Sequence, residues 1–248
     1  MSVNYPYSQP HPRRPGYGSN LGGQMPGGPV QYPVPTGPGA APVSRHNPGG
    51  GFSGGVRFAL LYVVAIWAVF LLNSALFRGN LNYFGIHPLD PSSLWGIIAA
   101  PLLHANLEHL ISNTIPGAVF AFLIGFSGRR VFWEVTVIVV IVAGVGTWLL
   151  GGVGTNHIGA SGVVYGWLAY LIVRGIFNRS LSQIITGAAL GFFYSGLVFG
   201  LLPGTPGVSW QGHLFGAVGG VLAGLCITSD DPPALKARRQ ARTRNTGR

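Results

Sequence analysis

Four polar residues set among small and apolar neighbours could do chemistry together. Ser161 stands in GASGVVYGW (Gly159–Trp167), His213 in GHLFGAVGG (Gly212–Gly220), and His109 and Asn113 in HANLEHLISN (His104–Asn113). A serine hydroxyl is a weak nucleophile until a neighbouring base takes its proton, and histidine is the commonest base. Ser161 is therefore a candidate nucleophile and His213 a candidate general base. His109 and Asn113, spaced i,i+4, share one helical face. Their side-chain donors, with the backbone N–H of Ser161 at a helix start, are candidates for holding an oxyanion. No aspartate lies in the outer parts of the apolar segments that hold these residues, and burying one in hydrocarbon is costly. A Ser–His dyad with its ring oriented by packing is the economical alternative. Tyr165, one turn after Ser161, is a platform for that ring. The plain competing reading is that Ser161 is a small packing residue in a glycine-rich helix.

The elements that must position these groups are apolar helices. Of the 248 residues 48% are hydrophobic and 8% charged, against about 25% charged in an ordinary soluble domain, and mean hydropathy is +0.42. Such a chain cannot build a water-soluble surface. A spanning helix needs about 20 predominantly apolar residues, and six stretches qualify: Phe58–Phe77, Leu107–Phe126, Val131–Leu150, Ala160–Ile176, Ile184–Leu202 and Val208–Ile227. LWGIIAAPLL (Leu94–Leu103) is too short to cross and reads as an interfacial element in a long first outer loop. The fold expected is an all-α membrane protein, a six-helix bundle over residues 56–228. Residues 1–55 contain 11 of the 19 prolines and read as a disordered tail. Residues 229–248 form a basic tail with Lys236, Arg238, Arg239, Arg242, Arg244 and Arg248, suited to anionic lipid rather than nucleic acid.

Orientation follows from charge. With the N-terminus inside, all but one of the 15 Lys and Arg residues fall on the cytoplasmic side and only Arg78 falls outside, as the positive-inside rule requires. Both termini are expected in the cytoplasm of a cell-membrane protein. The second, fourth and sixth spans then begin on the outer side, which puts His109, Asn113, Ser161 and His213 at one depth. Gly162 and Gly166 in the fourth span face a Gly212, Gly216, Gly220, Gly224 ridge in the sixth, and such ridges allow close helix approach. A transporter is the rival from another class, since intramembrane histidines also line proton paths. Against it, no charged side chain occupies the inner halves of the second and sixth spans. A metal site lacks a ligand set: His104 and His109, five apart, do not share a helical face. His157, in the outer loop four residues before Ser161, reads as a solvated loop histidine ahead of a substrate contact, and LLPGTPGVSWQG (Leu201–Gly212), directly before His213, either as a mobile lid or as an ordinary exposed turn.

The three segments HANLEHLISN, GASGVVYG and GHLFGAVGG resemble the signatures of the rhomboid intramembrane serine proteases, and the resemblance extends from Phe58 to about Ile227 in span order and orientation. It implies Ser161 as nucleophile, His213 as general base, and His109, Asn113 and the Ser161 N–H as oxyanion donors, with His104, Tyr165, Gly159 and Gly162 in support. It implies no metal or cofactor, and transmembrane segments of other proteins as substrates. A non-proteolytic relative that binds membrane clients is the family's other mode, and nothing in the residues favours it. Two positions depart from the family pattern. Trp95 has no adjacent arginine, and Trp210 stands where many members carry a second histidine.

Overall fold

A computed structural model describes residues 50–231, together with Leu235 and Ala237. Most of both tails therefore lies outside the described residues. Among the described residues seven helices follow in order: α1 (Gly51–Ala75), α2 (Gly96–Ala99), α3 (Leu107–Ser127), α4 (Arg129–Leu150), α5 (Ser161–Asn178), α6 (Leu181–Phe193) and α7 (Trp210–Cys226). Short 3-10 turns occupy 80–84, 91–93, 100–102 and 195–201.

α1, α3 and α4 are each long and apolar enough to cross a membrane, and α6 with the following 3-10 turn makes a fourth candidate. The surface bears this out. Leu60 and Val64 on α1, Ile115 on α3 and Val137 on α4 are exposed, a pattern that water would penalise and hydrocarbon accommodates. α5 and α7 are shorter, at 18 and 17 residues, and α5 carries Arg174 and Asn178 in its last turns.

The helix bounds differ from the expected spans in two places. α1 starts at Gly51, inside the segment read as tail, because Gly54 and Gly55 pack inward, Gly55 against the ring of Phe122 and the Gly54 carbonyl against Gly125. The fifth stretch, expected as one span over Ile184–Leu202, is broken: α6 ends at Phe193 and the next turn departs at 67°. Composition alone hides this break. Gly191 and Gly196 lack side chains to pack, and around Gly196 there is open space. An apolar cavity of about 210 Å³ lies beside the break, bordered by Tyr165, Leu168, Tyr194 and Leu201.

The interior joins α1, α3, α4, α5 and α7. Phe58 stacks on Phe132 with ring centroids 4.1 Å apart, Tyr62 meets Trp167 edge-on, and Leu110, Phe120, Ile124, Val135 and Val139 are fully enclosed. Tyr62 also donates to the carbonyl of Asn113, at 2.9 Å, tying α1 to the N-terminal half of α3. α5 and α7 meet backbone to backbone. A Cβ on Gly216 would overlap the carbonyl of Gly162, and one on Gly220 the carbonyl of Gly166. These glycines are thus the sequence feature that sets the α5–α7 separation.

The helix ends remote from Ser161 are tied by charge. Ser229, three residues beyond α7, donates to Glu134 of α4 at 2.5 Å, and Glu134 pairs with Arg130 at 2.6 Å, the i,i+4 pair its spacing predicts. Arg174 of α5 is buried against Asp230 and Asp231 and donates to the carbonyl of Gly224 at 2.8 Å. Tyr170 donates to Asp230 at 2.8 Å.

Candidate active site

The α5–α7 contact brings Ser161 and His213 together. Ser161 is the first residue of α5, so its backbone N–H is one of the first-turn amides without an intrahelical acceptor. His213 lies in the first turn of α7, whose start is capped by Ser209: its Oγ accepts from the Gly212 N–H at 3.3 Å. The His213 Nε2 is 2.8 Å from Ser161 Oγ. Its Nδ1 is 2.8 Å from the carbonyl oxygen of Gly200. A carbonyl can only accept, so Nδ1 carries the ring proton and Nε2 presents its lone pair to the Ser161 hydroxyl. This is the tautomer a general base requires.

Two further contacts fix the ring. Tyr165 stacks on His213 with centroids 4.1 Å apart and planes inclined by 7°, and its hydroxyl donates to the carbonyl of Leu197 at 2.7 Å. The 3-10 turn after α6 therefore holds both the tyrosine and, through Gly200, the histidine. The sequence suggests packing as the orienting device; the fold adds a directional hydrogen bond from a main-chain carbonyl. That carbonyl has no side-chain signature and is invisible to motif reading.

His109 and Asn113 lie on α3. Asn106 caps this helix, its side chain accepting from the His109 N–H at 2.9 Å, so the cap directly fixes the residue in question. The His109 ring lies over Gly159, where a Cβ would come within 2.5 Å of Nε2. Gly159 has φ +120°, so close approach and backbone conformation both call for glycine. Its N–H donates to the carbonyl of Ala100 at 2.9 Å, which anchors the GASG turn to the first loop. Asn113 is buried and its Nδ2 donates to the His109 carbonyl, 3.0 Å away. Gly162, next to Ser161, packs against the Gly212 carbonyl, which would sit 3.1 Å from a Cβ.

His104 corrects one inference from spacing. It and His109 do not share a helical face, yet their rings meet edge-to-face at 5.0 Å. The reason is that α3 begins only at Leu107, so His104 lies in the preceding loop and its chain folds back. His104 is fully enclosed, and neither ring nitrogen has a partner in hydrogen-bond geometry. Burial first, and then the neighbouring His109, push its pKa down from 6.5 to about 4, while the nearby Leu102 carbonyl acts weakly the other way. Among the described residues no cluster of three metal-ligating side chains occurs.

Ser161, at the head of α5, thus has its hydroxyl within hydrogen-bond distance of an imidazole held from both its Nδ1 and one ring face. Residues 91–230 match the Rhomboid domain, more than half of the chain. The protein belongs to the rhomboid family. It is 42% identical over 220 residues to an uncharacterized protein of Mycobacterium tuberculosis, covering 86% of this chain and 90% of that one. It is 43% identical over 186 residues to an uncharacterized protein of Mycobacterium leprae, covering 72% and 73%. A more distant relative, named "Putative rhomboid protease YdcA" in Bacillus subtilis, is 26% identical over 183 residues, covering 69% of this chain and 88% of that one.

Proposed function

We propose that this rhomboid-family protein is an intramembrane serine endopeptidase that cuts other membrane proteins within or beside their transmembrane segments. The observation that carries this reading is the 2.8 Å contact between His213 Nε2 and Ser161 Oγ, with Nδ1 committed to Gly200. Ser161 Oγ attacks the scissile carbonyl while Nε2 takes its proton. The ring is then an imidazolium, still donating from Nδ1 to Gly200. The tetrahedral oxyanion is held by the Ser161 N–H, by His109 Nε2–H and by the Asn113 proton not engaged with the His109 carbonyl. Imidazolium Nε2–H protonates the leaving amine, an acyl-enzyme remains, and a water activated by the same nitrogen releases the acid and regenerates Ser161. No metal or cofactor is required by these steps.

Six crossings complete the reading, with α5 and α7 as short spans, both termini cytoplasmic and the dyad reached from the outer side. The glycine-packed α5–α7 pair supports this: α5 is largely enclosed, and α7 turns Leu214, Val218, Leu222 and Leu225 outward, side chains that hydrocarbon accommodates. Water enters from the outer side, and the substrate helix must unwind locally to bring its peptide bond to Ser161. The basic C-terminal tail is assigned to anionic lipid. The test is labelling of purified protein with a fluorophosphonate, alongside cleavage of a model single-span substrate in vesicles. Wild type should label and cleave; Ser161→Ala and His213→Ala should do neither while melting near the wild-type temperature. Cleavage by either variant at a comparable rate would remove the dyad from the mechanism.

A further inference from the structure

His157 stands four residues before Ser161, in the connection that sequence reads as solvated. In the fold it is partly buried and its polar groups have partners. Its backbone exchanges two hydrogen bonds with Ile86 of the first loop, each 2.9 Å. Its ring Nε2 is 3.1 Å from the carbonyl of Gly151, just past α4, and 2.7 Å from Thr155 Oγ1. Its Nδ1 is 2.7 Å from Ser209 Oγ, the cap of α7.

The directions of these bonds are mutually consistent. The Gly151 carbonyl accepts only, so Nε2 carries the proton. Thr155 gives its hydroxyl proton to the Gly152 carbonyl, 2.7 Å away, leaving its oxygen to accept from Nε2 as well. Nδ1 then accepts from the Ser209 hydroxyl, whose oxygen in turn accepts from the Gly212 N–H. The Ser209 carbonyl also accepts from the His213 N–H at 3.1 Å. An unbroken chain therefore runs from the end of α4, through His157 and Ser209, to the backbone of His213.

We propose that His157 is a positioning residue for the reaction: by holding Ser209 as the α7 cap, it sets the first turn of α7, and so the His213 ring, against the loop that delivers Ser161. This rests on the protease reading given above. Displacing a reacting group by about 1 Å can cost 10²-fold in rate, and the first turn of a helix is the segment most prone to such drift without its cap.

The experiment combines kinetics with hydrogen exchange on the full-length protein in nanodiscs. His157→Ala and Ser209→Ala should each lower kcat by about tenfold, within that positional range, with KM changed less than about twofold. The double variant should lose no more than the worse single variant, since both break one chain. His157→Asn, whose Oδ1 can take the place of Nδ1, should recover most of kcat, whereas His157→Gln should not. Amides in the first turn of α7 should exchange faster in His157→Ala, with Gly219–Cys226 unchanged. Additive losses, a change in KM alone, or unaltered exchange at the start of α7 would overturn the proposal. Wild type without Ser161-dependent labelling would instead defeat the protease reading, and the exchange comparison would still decide the role of His157.

Discussion

The main-chain carbonyl of Gly200 accepts a hydrogen bond from Nδ1 of His213, 2.8 Å away, on the opposite side of the ring from Ser161. In a Ser-His-Asp triad a carboxylate occupies that position, holding the tautomer and stabilising the imidazolium. A carbonyl dipole holds the same tautomer without placing a full negative charge in an apolar site, where ionised groups are costly. Tyr165, stacked on the other ring face, restricts the remaining motion.

Gly200 itself is therefore a sensitive position. A Cβ there would overlap the Tyr165 hydroxyl and lie 3.0 Å from His213 Nδ1. Gly200→Ala is expected to reduce kcat by about 10²-fold, the usual consequence of misplacing a catalytic group, in both peptide cleavage and fluorophosphonate labelling. Gly196→Ala, where a Cβ meets nothing within 4 Å, is the matched control and should retain activity. Equal rates in the two variants would mean that the Gly200 contact does not orient the base.

The assignment of His109 and Asn113 makes a kinetic prediction. Losing one oxyanion donor costs about 10²–10³ in kcat, so His109→Ala and Asn113→Ala should slow turnover by that order with KM nearly unchanged. Both side chains also contact α3 or Gly159, so melting temperature must be measured alongside. A loss confined to KM, or unfolding of both variants, would reassign them to substrate docking or packing.

The ionic cluster around Arg174 predicts a stability effect. Arg174 has 3% side-chain exposure, and its partners Asp230 and Asp231 have 5% and 0%. Removing one member of a buried pair leaves uncompensated charge and costs about 3–5 kcal/mol. Arg174→Met should therefore unfold at markedly lower denaturant or temperature. Combining it with Asp230→Asn and Asp231→Asn should recover much of that loss, because the charges left behind are then gone. A single variant as stable as wild type would show that the cluster contributes nothing net.

His104 predicts a pH dependence. Its folded-state pKa, about 4, lies below its ordinary value of 6.5. Between these values the unfolded chain binds a proton that the folded protein refuses, so stability falls as pH drops from about 6.5 toward 4 and is unaffected by this group above that range. His104→Phe, which keeps an aromatic edge against His109, should flatten the melting-temperature profile in that window. An unchanged slope would mean that the enclosed ring becomes solvated on acidification.

Much of the site was legible in the chain because it is written in side-chain chemistry and helical spacing. Ser161, His213, His109 and Asn113 stand out as polar residues in apolar segments. The glycines at 162, 166, 212, 216 and 220 announce which two helices touch, since nothing larger fits where one backbone meets another. The short element at Leu94–Leu103 and the Arg130–Glu134 pair were likewise readable from length and local spacing alone.

Other features rest on the path of the backbone between motifs, at short and long separations alike, and tertiary structure alone decided them. The Gly200 carbonyl orients His213 although every residue has a carbonyl, so identity carries no signal for it. The break after Phe193 depends on what α6 lacks to pack against, not on its hydropathy, which is that of a continuous span. His104 meets His109 because Asn106 starts the helix between them, defeating a spacing argument that assumed one helix throughout. His157 reads as a loop residue because its partners are Ile86, Gly151 and Ser209, the last 52 positions away. Sequence determined which groups could react and which helices had to meet; the directions of the hydrogen bonds that hold those groups in line were set only when folding brought main-chain acceptors outside the motifs against them.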